Sequence, residues 1–183
     1  MNANIDISNV TLKTNRVILR PWRYTDIDDF FEYASVPGVG ESAGWEHHKT
    51  KENSKTILDM FIKEKKTFAI EYNGKVIGSL GIEKYNENLV PELDDKSGRE
   101  IGFVLSKEHW GKGLMPVTVR AVTDWLLYDV CLDFVLCRHS SDNIRSKRVQ
   151  EKCGFKPYKV SKYKTEYGEI KEDCVNIMYR ETE

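Results

Sequence analysis

No stretch of this chain approaches the ~20 apolar residues that a membrane-spanning helix needs. The longest candidate, AVTDWLLYDVCLDFVLC, is interrupted by Asp124, Asp129 and Asp133. The N-terminal MNANIDISNV is polar and holds no apolar signal-peptide core. A cytoplasmic protein with no membrane partner is expected. Charge of one sign is also missing. Lys and Arg number 28 against 29 Asp and Glu, for a net charge of −1. Nothing in that balance calls for nucleic acid as a partner. The four cysteines, Cys131, Cys137, Cys153 and Cys174, are irregularly spaced, with no CxxC pair. That pattern predicts free buried thiols and no metal. There is no internal repeat and no low-complexity tract.

What remains is one soluble domain over residues 1–183, with 40% hydrophobic and 31% charged residues. RVILRPW (16–22) reads as a strand that stops at Pro21. A helix follows in YTDIDDFFEYAS, with Thr25 as its cap and Ile27, Phe30, Phe31 and Ala34 as its apolar stripe. A second helix lies in NSKTILDMFIKEKK, with Ile57, Met60 and Phe61 on one face. TFAIEYN and KVIGSLGIEKY alternate around Asn73-Gly74, a strong hairpin signal. Residues 83–100 read as a polar loop, and REIGFVLSK as the next strand. MPVTVRAVTDWLLYDV is an amphipathic helix with Trp125 on its apolar stripe. FVLCRHSS is a strand, NIRSKRVQEKCGF a helix capped by Asn143 and ended by Gly154, and DCVNIMYRET the last strand. This order predicts a mixed α/β or α+β sheet with a βαβ crossover in its second half.

The chemistry centres on EHWGKGLMP (108–116). A strand, a glycine-rich turn and a helix N-terminus together make an anion site. The first helical N–H groups have no intrahelical partner, and the helix dipole adds partial positive charge. Glycine lets the backbone approach the ligand. Gly111, Lys112, Gly113, Leu114 and Met115 could present consecutive amides to a pyrophosphate. A Walker loop is excluded because Leu114 stands where Ser or Thr is required. A dinucleotide loop is excluded because Pro116 takes the third glycine position. A plain turn remains the competing reading.

REIGFVLSKEHWGKGLMPVTVRAVTDWLL, followed downstream by NIRSKRVQEKCGF, resembles the Gcn5-related N-acetyltransferase (GNAT) family. TNRVILRPWRYTD and GWEHHKTKENS are similar to its ribosomal-protein-alanine acetyltransferase (RimJ/RimL-like) branch. The resemblance implies the GNAT fold: an α+β domain whose central, mostly antiparallel sheet is flanked by helices. It also implies acetyl-CoA as donor and direct transfer of acetyl to a primary amine. That amine is a protein N-terminus or a small molecule such as a polyamine, amino acid or antibiotic. Dimers are common in the branch, so a homodimer is one expected assembly.

In the family's loop pattern Trp110 takes the first position, Gly113 the central one and Met115 the last, where Gly or Ala is usual. The resemblance implies that the main chain of Phe103, Val104 and Leu105 holds the pantetheine arm, with the N–H of Val104 or Leu105 facing the oxyanion. Asn143 matches a pantetheine-binding position, against its role as a cap. Gln150 stands where many relatives carry an acidic tyrosine. Ser146, four residues earlier on the same face, matches the serine of this branch, so the resemblance implies that it protonates the thiolate and touches the cofactor, against a small polar residue that merely packs nearby. Glu100 is the candidate base, against a half-exposed strand carboxylate paired with Arg99 or a lysine. Trp45, His47 and His48 are expected to face the acceptor, against a packed loop, and His139 to reach the substrate from its strand end. Cys153 has no clear base and reads as a buried thiol. A CoA-binding module without catalysis is the alternative function.

Overall fold

The computed structural model describes residues 1–165 and 168–181. An eight-stranded sheet runs β1 (Leu12–Lys13), β2 (Ile18–Pro21), β3 (Thr67–Tyr72), β4 (Lys75–Glu83), β5 (Gly98–Leu105), β6 (Phe134–Ser140), β8 (Ile170–Tyr179) and β7 (Lys156–Lys164), in that spatial order. Four helices flank it: α1 (Ile27–Ala34), α2 (Lys51–Glu64), α3 (Leu114–Asp124) and α4 (Ile144–Cys153). All pairings within the sheet are antiparallel except β5 with β6, which are joined through α3. The expected α+β sheet and its βαβ crossover are both present.

Alternation along the strands sorts the helices onto two faces. Phe68 and Ile70 join the cluster that packs on Leu114, Val119, Val122 and Leu126 of the α3 segment. Ala69 between them joins Trp22, Phe30, Tyr33 and Leu58 of the α1 and α2 side. On β5 the same rule sends Val104 to the α1/α2 face and Leu105 to the α3 face.

Local chemistry accounts for several boundaries. Asn73 and Gly74 both take positive φ, 51° and 78°, and close the β3–β4 hairpin as a two-residue turn. Gly154 ends α4 at φ 95°. Other boundaries correct the sequence reading. Thr25 does not cap α1. A 3-10 turn over Tyr24–Asp26 precedes it, and the Asp26 carboxylate accepts the Arg23 N–H at 2.8 Å. The helix α2 starts at Lys51, because Thr50 and Asn53 cap it reciprocally. Met60 is exposed, and Leu58 is the buried apolar residue of that helix, beside the buried Ser54. The end of the α3 segment, Trp125–Asp129, is wound as a π-helix rather than an α-helix. Trp125 meets Phe68 edge-on, as a core residue does. The strands β1 and β7 were not foreseen. β7 is a mostly exposed, lysine-rich edge, whose sequence KPYKVSKYK lacks a buried face.

Candidate acyl-transfer site

The site begins where β5 and β6 part. Their parallel pairing ends at Ile101↔Cys137, while β5 stays paired with β4 as far as Leu105↔Gly78. Beyond Ile101 the strands open into a cleft of about 570 Å³, within the usual range for small-ligand sites. Its walls include Phe103, Leu105, Trp110, Gly113, Ser146 and Arg138.

The antiparallel ladder decides which backbone groups face this cleft. The Ser106 N–H donates to the Ile77 carbonyl at 2.7 Å, so the 106/77 pair is hydrogen-bonded. Alternation then turns Gly102 and Val104 toward β4, and Phe103 and Leu105 toward the opening. The main chain of Val104 is therefore spent on the sheet, which corrects the expectation of a ligand contact there. Its side chain is buried among Trp22, Phe30 and Leu58. The Leu105 carbonyl accepts the Trp110 indole N–H at 2.8 Å, so of its two main-chain groups the N–H remains for a ligand.

The glycine turn follows directly. Gly111 and Gly113 are left-handed, at φ 77° and 73°, and no heavy atom lies within 4 Å of a Cβ built on Gly111. Arg16 donates from Nη1 to the Lys112 carbonyl at 2.7 Å, which anchors the loop from behind. Among the described residues, the amides of Gly111, Lys112 and Gly113 meet no backbone acceptor. Gly113 then sits at the N-cap of α3, whose first N–H groups point the same way. Leu114 and Met115 line the cleft while packing into the core, whereas Lys112 is exposed and outside its wall. This backbone cradle fits a pyrophosphate.

Positive charge rims the mouth. Arg145 lies over the Trp110 ring, 4.0 Å from its centroid, and Arg148 and Lys152 line the same edge. The sequence reading missed all three, although their clustering on α4 was visible. The opposite end is acidic. Glu100 Oε1 accepts from Arg138 Nε at 2.7 Å, and Arg138 Nη1 donates to Asp173 at 3.1 Å. Burial raises the Glu100 pKa above the ordinary carboxylate value, despite the opposing Arg138 charge. Burial raises Asp173 as well. Glu100 is thus paired with Arg138. Neither Arg99 nor a lysine takes that place, for the Arg99 Nε donates to the Ala3 carbonyl. His139 lines the cleft, buried, with Nδ1 at 3.0 Å from the Ser140 carbonyl oxygen.

On α4, the Asn143 Oδ1 accepts the Ser146 N–H and its Nδ2 donates to the Ser42 carbonyl. Asn143 therefore caps the helix and also reaches the loop between α1 and α2. Gln150 is fully buried beneath Ser146.

Three expected acceptor contacts are not brought to the cleft. Trp45 packs over Gly40, where a Cβ would meet its ring at 2.4 Å, and stacks near His48. His48 Nδ1 lies 2.7 Å from Ser54 Oγ, and burial lowers its pKa. His47 Nδ1 lies 2.7 Å from Glu41. Their partners frame the loop from within, and Ser42 and Ala43 are the loop residues that face the cleft. Cys153 is pushed up to about 11 by burial, as an inert thiol would be. Among the described residues no His, Cys, Asp and Glu side chains gather as a metal site. No described helix is long and apolar enough to cross a membrane.

Residues 16–156 match the family model described as "Acetyltransferase (GNAT) domain". The chain is 24% identical over 153 residues to "Uncharacterized N-acetyltransferase p20" of Bacillus licheniformis, which covers 79% of this chain and 82% of that protein. Its fold is similar to a GNAT-family acetyltransferase from Bacillus anthracis, at TM-score 0.82 and 20% identity, over 94% of this chain and 100% of that one. It is also similar to a ribosomal-protein-S5-alanine acetyltransferase from Vibrio fischeri, at TM-score 0.70 and 16% identity, over 94% of this chain and 98% of that one.

Proposed function

This chain belongs to the GNAT acetyltransferase family, and from that premise we propose that it moves acetyl from acetyl-CoA to a primary amine in a ternary complex, as one catalytic domain over residues 1–183. The observation that carries the reading is the opening of β5 from β6 directly before the Gly111–Gly113 turn. One continuous cleft then offers a pyrophosphate cradle, a free strand edge and a polar end.

The amides of Gly111 to Gly113 and the first turn of α3 would take the pyrophosphate, with Arg145, Arg148 and Lys152 at its rim. The pantetheine would add to the Phe103–Leu105 edge as an extra strand does. The Leu105 N–H would then face the thioester oxygen, where negative charge develops. The amine attacks the carbonyl carbon, an N–C bond forms and the C–S bond breaks with its electron pair going to sulfur. Glu100 would accept the proton that the amine loses, directly or through water. Ser146 would hydrogen-bond the departing thiolate, which takes a proton from water while Glu100 returns to water the one it accepted, so the proton count closes.

Glu100 and Asp173 share the single Arg138 guanidinium, and the one carboxylate in excess favours a cationic acceptor group. An acceptor of the ribosomal-protein N-terminus kind is in keeping with the fold similarity to the Vibrio fischeri protein. The test is release of CoA thiol from acetyl-CoA with a panel of N-terminal peptides, polyamines and amino acids. Turnover of a peptide N-terminus supports the reading. Turnover of small amines alone would move the acceptor class. Acetyl-CoA binding with no turnover of any amine would leave a non-catalytic CoA-binding module.

A further inference from the structure

Gln150 lies beneath Ser146, a wall residue of the cleft, with no exposure to solvent. Its amide orientation is dictated by chemistry. Nε2 lies 3.1 Å from the Arg138 carbonyl, an atom that only accepts, so the nitrogen must face it. The oxygen on the other side accepts from Asn176 Nδ2 at 2.6 Å. The second Nε2 proton is then directed at Ser146 Oγ, at 3.1 Å, one helical turn away. The Ser146 hydroxyl is thereby an acceptor toward Gln150. Among the described residues its own proton meets no acceptor, and the side chain borders the cleft.

We propose that Gln150, held by Asn176 and the Arg138 carbonyl, is a positioning residue that fixes the polarity of Ser146, so that the serine hydroxyl donates into the cleft. The inference rests on the acyl-transfer reading above. It also gives glutamine a function at a position where it could not itself act as an acid. Left alone, a serine on a helix readily donates back to the carbonyl four residues earlier. The donor aimed at Oγ from below keeps the hydroxyl from pointing its hydrogen at Gln150, and among the described residues Oγ makes no bond to the Asp142 carbonyl, so that hydrogen is left for the departing sulfur. No covalent bond to Gln150 or Ser146 forms, and the proton count of the transfer is unchanged.

The test is a double-mutant cycle on the full chain, with acetyl-CoA and the best acceptor found in the thiol-release assay. Ser146→Ala and Gln150→Met should each lower kcat by about tenfold, with the KM for acetyl-CoA changed less than about twofold. The double variant should be no slower than Ser146→Ala alone. A merely structural glutamine would instead give losses that multiply, and that result overturns the proposal. Gln150→Leu serves if Gln150→Met does not fold. It likewise removes the donor to Ser146 without burying a charge, so kcat should again fall to the Ser146→Ala level, and full retention of kcat would overturn the proposal. Absence of turnover by the unaltered protein, with acetyl-CoA bound, would overturn the parent reading and this one with it. Turnover with multiplicative losses overturns this one alone.

Discussion

The Asn143 side chain holds two elements with its two ends: Oδ1 caps α4 at the Ser146 N–H, 3.1 Å away, while Nδ2 donates to the Ser42 carbonyl at 2.8 Å. The loop that borders the cleft is thus tied to the helix that carries Ser146. Asn143→Ser separates the two jobs, because serine still caps but is too short and lacks the amide donor. Hydrogen exchange over residues 38–48 should quicken by about fivefold, the loss of one neutral hydrogen bond of about 1 kcal/mol, while the α4 amides stay protected. Equal loss of protection in both would mean that the loop and helix are not separately held.

Glu100 sits where burial favours its neutral form. A carboxylate with a raised pKa can act as a base only above that value. The acid limb of the kcat/KM profile should therefore lie above the ordinary carboxylate range, with activity falling as pH drops through it. Glu100→Gln should lower kcat by about a hundredfold and remove that limb, leaving the one that belongs to the amine. An unchanged profile in the variant would assign the base role elsewhere.

Features made by neighbouring residues were legible in the sequence. The Asn73-Gly74 turn, the Asn143 cap and the Gly154 stop each need only a few residues, and each is present. The glycine turn between strand and helix was legible for the same reason. What escaped depends on partners far along the chain. Arg138 meets Asp173 because β6 pairs with β8 in a register that places His139 beside Cys174. His47 and His48 belonged to a promising loop, yet Glu41 and Ser54 hold them inside it. The helix α2 was found by its period, and Ile57 and Phe61 pack on the core as read, but Met60 turns to solvent and Leu58 is buried instead, since two neighbouring stripes differ by one residue's rotation. The β7 edge has no buried face for a pattern to report.

Glu41 anchors the same loop through pH-sensitive bonds. Burial pushes its pKa up, but the His47 side chain and the backbone N–H groups of His47 and Gly38 outweigh it and hold the carboxyl at about 2. A depressed pKa contributes stability above the unfolded value, and that stability is lost as pH falls. The unfolded value is 4.5, so the window runs from 4.5 down to about 2. Glu41→Gln should lower Tm at neutral pH, and the two melting curves should converge on acidification through that window. A constant gap in Tm would show that Glu41 gains nothing from ionisation.

Asp26 and Arg20 form a buried pair at 2.8 Å, each side chain 8% exposed, with Glu71 on the guanidinium's other side. Asp26→Ala leaves the buried Arg20 short of a partner and the Arg23 N–H uncapped. Stability should fall by about 3 kcal/mol in urea unfolding. A loss under about 1 kcal/mol would show that Glu71 alone suffices for Arg20.

The central claim is that the Gly111–Gly113 turn holds the diphosphate of an acyl-CoA. Calorimetric titration of the protein with acetyl-CoA, beside its Gly113→Asp variant, tests this most directly. Gly113 is left-handed at φ 73°, and aspartate there adds strain and negative charge against the ligand. The account predicts one-to-one binding by the unaltered protein, weaker by at least about a hundredfold in the variant, with no binding of ATP by either. Equal affinity in a folded Gly113→Asp variant, or no binding of acetyl-CoA at all, would contradict it.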